Sequence, residues 1–285
     1  MNPLREKLNS GRGLAYIGAP SALAAKEIER QGGDGIYLSG AVLSQFVHGI
    51  ADDGTVTLEQ LATFAGTLCG ATTLPVIADA DTGFTENTDV SHCIRALIEA
   101  GVAGVQMEDQ VPAKKCGHLD GKTLIPAGEM AEKIRSAVEA RRDTGLVLIA
   151  RTDARGVTGW DDALERAHQY REAGADMIFI EALGSAREFQ DFGEACPGPL
   201  LANMTEFGKS PLLSRSQLAS WGYTVVIYPA TLMRVMMPAA EQAIATILKE
   251  GHQKPLVDSM WSRGRLYDLI GYDHSLPAPP EENES

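Results

Sequence analysis

The chain has 285 residues, with 25 lysines and arginines against 38 aspartates and glutamates, for a net charge of −13. That balance argues against nucleic acid, whose phosphates need a basic face. A content of 44% hydrophobic and 22% charged residues is that of a soluble globular protein. No apolar run approaches the roughly 20 residues of a membrane span, and residues 1–13 lack the apolar core of a signal peptide. The expected setting is therefore the cytoplasm, with neither a membrane nor a nucleic acid as partner. An anionic ligand would require the scarce cations to be gathered in one pocket.

In chain order, the first predicted strand is LAYIGA (14–19). A repeated unit follows in EIERQGGDGIYLSG (27–40), ALIEAGVAGVQMED (96–109) and QYREAGADMIFIEA (169–182). Each reads as a helix end, a glycine, a short link, an apolar strand and then polar residues. Gly32, Gly101 and Gly174 suit the left-handed cap that stops a helix. The remaining strands are PVIADAD (75–81), LVLIARTD (146–153), LLANMT (200–205) and TVVIYP (224–229). They are nearly continuous apolar runs, as expected when both faces are covered. Helical patterns lie between, including 87–100 with Val90, Ile94, Leu97 and Ile98 on one face. Eight strands alternating with helices predict a (β/α)8 barrel as a single domain over 1–285. An open doubly wound sheet is disfavoured because G-x-G-x-x-G is absent after the first strand. The acidic, proline-rich tail 275–285 is expected to be disordered.

Polar residues end seven of the eight strands: Ser39, Asp79 with Asp81, Glu108 with Asp109, Arg151 with Asp153, Glu181, Asn203 with Thr205, and Tyr228. Strand ends converge on one face of a barrel, so this concentration predicts an active site there. ADADTG (78–83) places two carboxylates two residues apart, expected on one strand face. Two such charges need a cation or a proton between them, and a hard divalent ion suits them better than simple helix capping does. Arg151, Arg234 and Arg263 could each grip a carboxylate with a two-pronged fork. Arg151 alone ends a strand, whereas Arg234 and Arg263 fall on predicted helices.

The four cysteines, Cys69, Cys93, Cys116 and Cys196, form no C-x-x-C pair and read as free thiols. Cys69 and Cys93 fall in apolar helical patterns, and Cys196 at a helix end. Cys116 differs. In VPAKKCGHLDGK (111–122) it follows a strand end by a short loop, beside Lys114, Lys115 and His118. Nearby cations favour thiolate, so a reactive cysteine is expected, either as nucleophile or as acid–base group. A cysteine protease is disfavoured, since the histidine two residues away is its one evident partner.

Together KKCGH (114–118), ADADTG, QMEDQ (106–110), ARTDA (150–154) and NMTEFG (203–208) resemble the isocitrate lyase/phosphoenolpyruvate mutase superfamily. The similarity runs from about Gly13 to Tyr272. The cysteine loop marks its lyases rather than its mutases and phosphonopyruvate hydrolases. The resemblance implies a (β/α)8 barrel whose last helix is swapped between subunits of a homotetramer. It implies Mg²⁺, with Mn²⁺ as a substitute, held by Asp79 and Asp81 with Asp52 and Glu108 in support through water. It also implies Tyr37, Ser39, Gly40, Ala41, Gly117, Arg151, Glu181, Asn203, Met204, Thr205, Arg234 and Arg263 around a small hydroxy polycarboxylate. Cys116 would be the acid–base residue on a closing loop, with Lys114 and His118 beside it, and Tyr37 or a metal-supported carboxylate would take the hydroxyl proton. The reaction implied is C–C bond cleavage; a decarboxylase of the same fold would have no use for the thiol. The chain departs from its relatives at HGIADDG (48–54) and Ala41-Val42, both on the substrate side.

Overall fold

The computed structural model describes residues 2–8 and 12–273. Eight parallel strands close in sequence order: β1 (Leu14–Gly18), β2 (Gly35–Leu38), β3 (Val76–Asp79), β4 (Gly104–Glu108), β5 (Val147–Thr152), β6 (Met177–Ile180), β7 (Leu200–Asn203) and β8 (Tyr223–Tyr228). β8 pairs back onto β1 through Leu14 opposite Val225 and Ile17 opposite Tyr228. Helices alternate with the strands, so the predicted (β/α)8 barrel is the fold. The strands are apolar on both faces for a topological reason. Leu14, Tyr16, Ile77, Ile149, Phe179 and Leu201 fill the barrel, while Ile36, Val76, Leu148, Ile178 and Leu200 pack outward among the helices. Gly32, Gly101 and Gly174 have φ of +79°, +90° and +110°, the left-handed region that an L side chain adopts at a cost.

Side chains alternate along a strand, so a residue two beyond an inward one also points inward. Ser39 follows Tyr37, Asp79 follows Ile77, Arg151 follows Ile149, Glu181 follows Phe179 and Asn203 follows Leu201. This parity aims the polar ends into the mouth of the barrel. β3 differs from the sequence expectation in one respect. It stops at Asp79, and Asp81 sits beyond it in a turn with φ +46°, closed by Gly83 N–H donating to Ala80 O at 2.8 Å. The two carboxylates therefore come together through a turn rather than along a strand face. The helix expected from residue 87 starts later, at Ser91–Glu99, because Asn87 and Asp89 accept N–H bonds from Asp89 and Ser91 and hold a non-helical turn.

A short helix, Pro3–Lys7, seals the N-terminal end of the barrel. Asn2 caps it by accepting from Leu4 N–H at 2.9 Å and donates to Ala103 O at 2.7 Å. Arg5 binds Asp176 at 2.8 and 3.0 Å and donates to Gly145 O and Leu146 O. Leu4 is fully buried with the barrel-filling residues.

The described residues up to Met237 form one compact unit and those from Pro238 onward a second. The helix Thr231–Glu250 spans the division, with Pro238 inside it. In the second unit a 3-10 turn, Lys254–Ser259, precedes the helix Arg263–Ile270. There the Arg265 guanidinium lies 3.9 Å from the Trp261 ring centroid, and Tyr267 stacks on Tyr272 at 4.6 Å. Ile244, Ile247, Leu248, Val257 and Met260 of this unit are exposed. Among the described residues no helix is long and apolar enough to cross a membrane. The tail 275–285 lies outside the described residues.

Leu4→Ala should destabilise the protein by about 2–5 kcal/mol, the usual cost of a leucine-sized hole in a core. A urea titration would show this as a lower midpoint with the folded-state circular dichroism unchanged. An unaltered midpoint would mean that the helix is not a stabilising plug.

Candidate active site

At the C-terminal ends of the strands lies a cavity of about 110 Å³ lined by Tyr37, Ser39, Ala41, Asp79, Glu108, Arg151, Glu181, Asn203 and Thr205 from the barrel. Lys114, Cys116, Gly117 and His118 of the cysteine loop line it too, as do Asp52 and Arg234. A second side is apolar: Phe179, Ile227, Pro229, Ala230 and Met233.

Arg151 is the central cation. Its Nε and Nη2 reach Asp153 at 2.9 and 3.1 Å, its Nη1 reaches Glu108 at 3.1 Å, and Nη2 lies 3.6 Å from Glu181. These partners split two carboxyls. Burial pushes Glu108 well above the carboxylate range, and Arg151 only partly offsets it. Burial would raise Glu181 too, but Arg151 and His118 outweigh it and hold its carboxyl down to about 2. Glu181 also accepts from the next backbone N–H, Ala182, at 2.8 Å, and Ala182 adopts φ +60°. Two acids driven apart by their surroundings are the usual makings of an acid–base site.

Asp79 and Asp81 approach each other beneath Gly40; a Cβ on that glycine would lie 3.6 Å from Asp79 Oδ2 and 3.3 Å from Asp81 Oδ1. Burial and Asp81 push Asp79 up to about 6, and burial raises Asp81 as well. Lys114 Nζ bonds Asp52 at 2.5 Å and lies 2.8 Å from Asp81 Oδ1, too far off line for a hydrogen bond. Burial works against the ammonium, but Asp81 and Asp52 hold it well above its ordinary value. Lys114 is thus committed to the acids rather than to Cys116. Tyr37 donates to Gln106 Oε1 at 2.6 Å, and Gln106 donates from Nε2 to Asp79 at 3.1 Å. Burial and Asp79 push the Tyr37 phenol well above its usual value, so in this arrangement it is a hydroxyl donor.

These groups fit a hard divalent ion. All the donors are oxygens, the paired acids carry more negative charge than one lysine offsets, and the buried Glu108 Oε1 has no hydrogen-bond partner among the described residues. Among the described residues no three His, Cys, Asp or Glu side chains are grouped so as to hold a metal ion by themselves.

The cysteine loop is docked on this wall. A Cβ on Gly117 would collide with Arg151 Nη2 and lie 2.5 Å from Glu181 Cγ. His118 Nε2 faces Glu181 Oε1 at 3.2 Å, out of line for a full hydrogen bond, and Nδ1 accepts from Lys209 N–H at 3.0 Å. That donation assigns the ring proton to Nε2. Cys116 lines the cavity and is exposed; Cys93 and Cys196 are buried, Cys69 is half-buried, and all four are free thiols.

The remaining predicted residues separate. Asn203 donates to Glu181 at 3.2 Å, and Arg234 donates to Thr205 at 3.2 Å and Glu206 at 2.6 Å. Met204 faces away from the cavity, with its sulfur accepting from Leu213 N–H and its side chain in the outer core. Arg263 opens the last helix of the second unit. Two strand ends also turn outward. Tyr228 packs on the outer core while Ile227 lines the cavity, and Asp109 accepts from Thr152, Tyr170 and Arg166 behind the site.

Sequence reasoning missed Gln106 and Lys122 and gave Asp153 no role. Gln106 could have been found by parity, since it lies two residues before the inward Glu108. Lys122 Nζ donates to Gly117 O and to Asp153 Oδ1, a pairing no local pattern signals.

The family described as phosphoenolpyruvate phosphomutase matches residues 4–248. The chain is 45% identical to the 2-methylisocitrate lyase of Aeropyrum pernix over 94% of this chain and 86% of that protein. It is 48% identical to the probable 2-methylisocitrate lyase 2 of Corynebacterium glutamicum, over 90% and 83%. The crystal structure of 2,3-dimethylmalate lyase, a PEP mutase/isocitrate lyase superfamily member, superposes with a TM-score of 0.88 at 32% identity, covering 94% of this chain and 90% of that one. Phosphonopyruvate hydrolase in complex with oxalate and Mg²⁺ superposes at 0.84 with 28% identity, over 94% of each chain.

Two outcomes are expected. Gly117→Ala should fold normally yet lose about 10²-fold in kcat, because a displaced loop misplaces Cys116 and His118; steady-state kinetics beside a thermal melt would check it. The low Glu181 carboxyl contributes stability that is complete above its unfolded value of about 4.3 and lost as pH falls through the folded value. Glu181→Gln should melt below wild type at pH 7, and calorimetry should show the gap narrowing as pH drops from about 4.3 towards about 2. A gap independent of pH would contradict this.

Proposed function

Because the chain belongs to the isocitrate lyase/phosphoenolpyruvate mutase superfamily, we propose that it is a lyase cleaving 2-methylisocitrate to pyruvate and succinate. This would place it in propionate catabolism through the methylcitrate cycle, in the cytoplasm. The observation that carries this reading is the seating of the KKCGH loop against Arg151 and Glu181, with Cys116 on the cavity. The apolar side made by Phe179, Ile227, Pro229, Ala230 and Met233 offers room for the methyl group that separates this substrate from isocitrate.

The chemistry follows from the groups present. Arg151, Arg234 and His118 receive the substrate carboxylates, while Ser39, Asn203 and Thr205 supply neutral polar contacts. The hydroxyl proton is taken by a carboxylate of the Asp79–Asp81 pair, because the Tyr37 phenol is itself protonated and acts as a donor towards Gln106 and, through it, Asp79. The C–C bond then breaks: the methyl-bearing carbon becomes the carbonyl of pyruvate, and the electron pair stays on the carbon beside the other carboxylate. Cys116 gives its thiol proton to that carbon, which completes succinate and leaves a thiolate. Mg²⁺, or Mn²⁺ in its place, would be held by Asp79 and Asp81 with Asp52 and Glu108 in support, and would stabilise the charge developing on substrate oxygens. Lys114 keeps Asp52 and Asp81 in place. The role of Arg263 as a carboxylate ligand rests on resemblance alone. The exposed apolar residues of the second unit support a homotetramer with exchanged C-terminal helices.

A product assay on 2-methylisocitrate, isocitrate, 2,3-dimethylmalate and oxaloacetate tests the reading. 2-Methylisocitrate should give the highest kcat/KM, with isocitrate slower by about 10–200-fold, the worth of one methyl in an apolar pocket. Faster turnover of any other member of the panel would overturn it. Asp79→Ala should abolish turnover without unfolding the barrel, and chelation should inactivate the wild type until Mg²⁺ is restored; full activity after exhaustive chelation would exclude the metal.

A further inference from the structure

Three lysines sit in or beside the cysteine loop, and each has a different destination. Lys114 turns inward to Asp52 and Asp81, and Lys115 is exposed. Lys122, just beyond the loop, has a side chain only 1% exposed. Its ammonium donates to the carbonyl of Gly117 and, at 2.8 Å, to Asp153 Oδ1. A Cβ on Gly156 would come within 3.5 Å of Nζ, so the ammonium occupies a narrow slot between the loop and the turn after β5.

We propose that Lys122 is a positioning residue for the reaction, a charged latch that holds the Cys116–His118 segment against the Arg151–Asp153 pair. The geometry supports this in two ways. First, the loop is tied at separate points. Its stem is held where Lys115 exchanges two hydrogen bonds with Gln110, at 2.9 and 3.0 Å, and its far side where Lys209 meets His118 and Asp120. The peptide between the two chemistry-bearing side chains is held by Lys122. Second, Asp153 Oδ1 accepts from both Lys122 and Arg151 Nη2, the latter at 3.1 Å. The carboxylate that orients the substrate-binding guanidinium is thus the same one that anchors the latch, so the loop and Arg151 share a single buried charge. Gly117 makes the close approach that this arrangement needs; any side chain there would strike Arg151. Lys122 itself touches no reacting atom in this account.

The effect on turnover rests on the proposed lyase reading; the effect on the loop does not. The test is Lys122→Met in the full-length protein, which keeps the length of the side chain and removes its charge. Hydrogen exchange across residues 111–124 would be followed by mass spectrometry, alongside kcat and KM for 2-methylisocitrate with saturating Mg²⁺. Loop exchange should quicken at least about tenfold, the loss of one charge-assisted hydrogen bond, while exchange in the barrel strands stays unchanged. Turnover should fall by about 10²-fold in kcat, with a much smaller change in KM. Lys122→Gln, which keeps an N–H donor without the charge, covers the case in which the methionine variant does not fold, and the same directions are expected. Unchanged loop exchange overturns the latch, whatever happens to kcat. Quicker exchange with wild-type kcat overturns its role in catalysis. If wild type does not cleave 2-methylisocitrate but the variant's loop still loosens, the lyase reading fails and the latch stands.

Discussion

The buried guanidinium of Arg151 is the constraint on which the site depends. It is surrounded by Asp153, Glu108 and Glu181, and the fork to Asp153 fixes its plane. Removing one partner from a buried charge pair costs about 3–5 kcal/mol, because the other charge is left without compensation. Arg151 therefore sets more than a binding contact. It keeps Glu181 ionised, leaves Glu108 to burial, and presents the surface on which the cysteine loop lies. Gly117 is required where the loop crosses it, since no side chain fits there.

The chain is strongly acidic, yet it spends its buried cations sparingly and with a division of labour. Lys114 offsets the Asp52 and Asp81 carboxylates, Arg151 organises the glutamates, and Lys122 ties the loop to Asp153. Arg234 stands at the rim, shared with Glu206. Each of these cations is already paired with an acid, so in a protein of net charge −13 a polyanionic substrate would also call on the divalent ion that Asp79 and Asp81 would hold. Charges on the surface weigh less, because screening weakens them beyond a Debye length of about 8–10 Å.

How much of this was legible in the sequence follows from period and distance. The eight strands could be read because a strand covered on both faces is an unbroken apolar run between glycine-capped helices. Convergence of strand ends on one face then pointed to Asp79, Arg151, Glu181 and Asn203, but also to Asp109 and Tyr228. Strand parity, which that reading did not apply, turns these last two outward. Asp81 escaped the strand-face reading because its left-handed turn breaks the alternation. Met204 shows the converse: it lies inside a matching motif, yet its parity sends it to the outer core. Contacts such as Lys122 with Asp153, or His118 with Lys209, join segments far apart in sequence and leave no periodic trace. The N-terminal plug was equally hidden, since a helix of five residues has too few turns to show a pattern.

The central claim is that the thiol on the docked loop delivers the proton that completes the product. The most direct measurement is kcat for Cys116→Ser on 2-methylisocitrate, paired with calorimetric binding of the substrate. A serine hydroxyl is a far weaker acid, so kcat should drop by about 10²–10⁴-fold, the range of a general acid–base step, while binding persists. A Cys116→Ser variant with near wild-type kcat would contradict the account, because the thiol would then be a bystander to the chemistry.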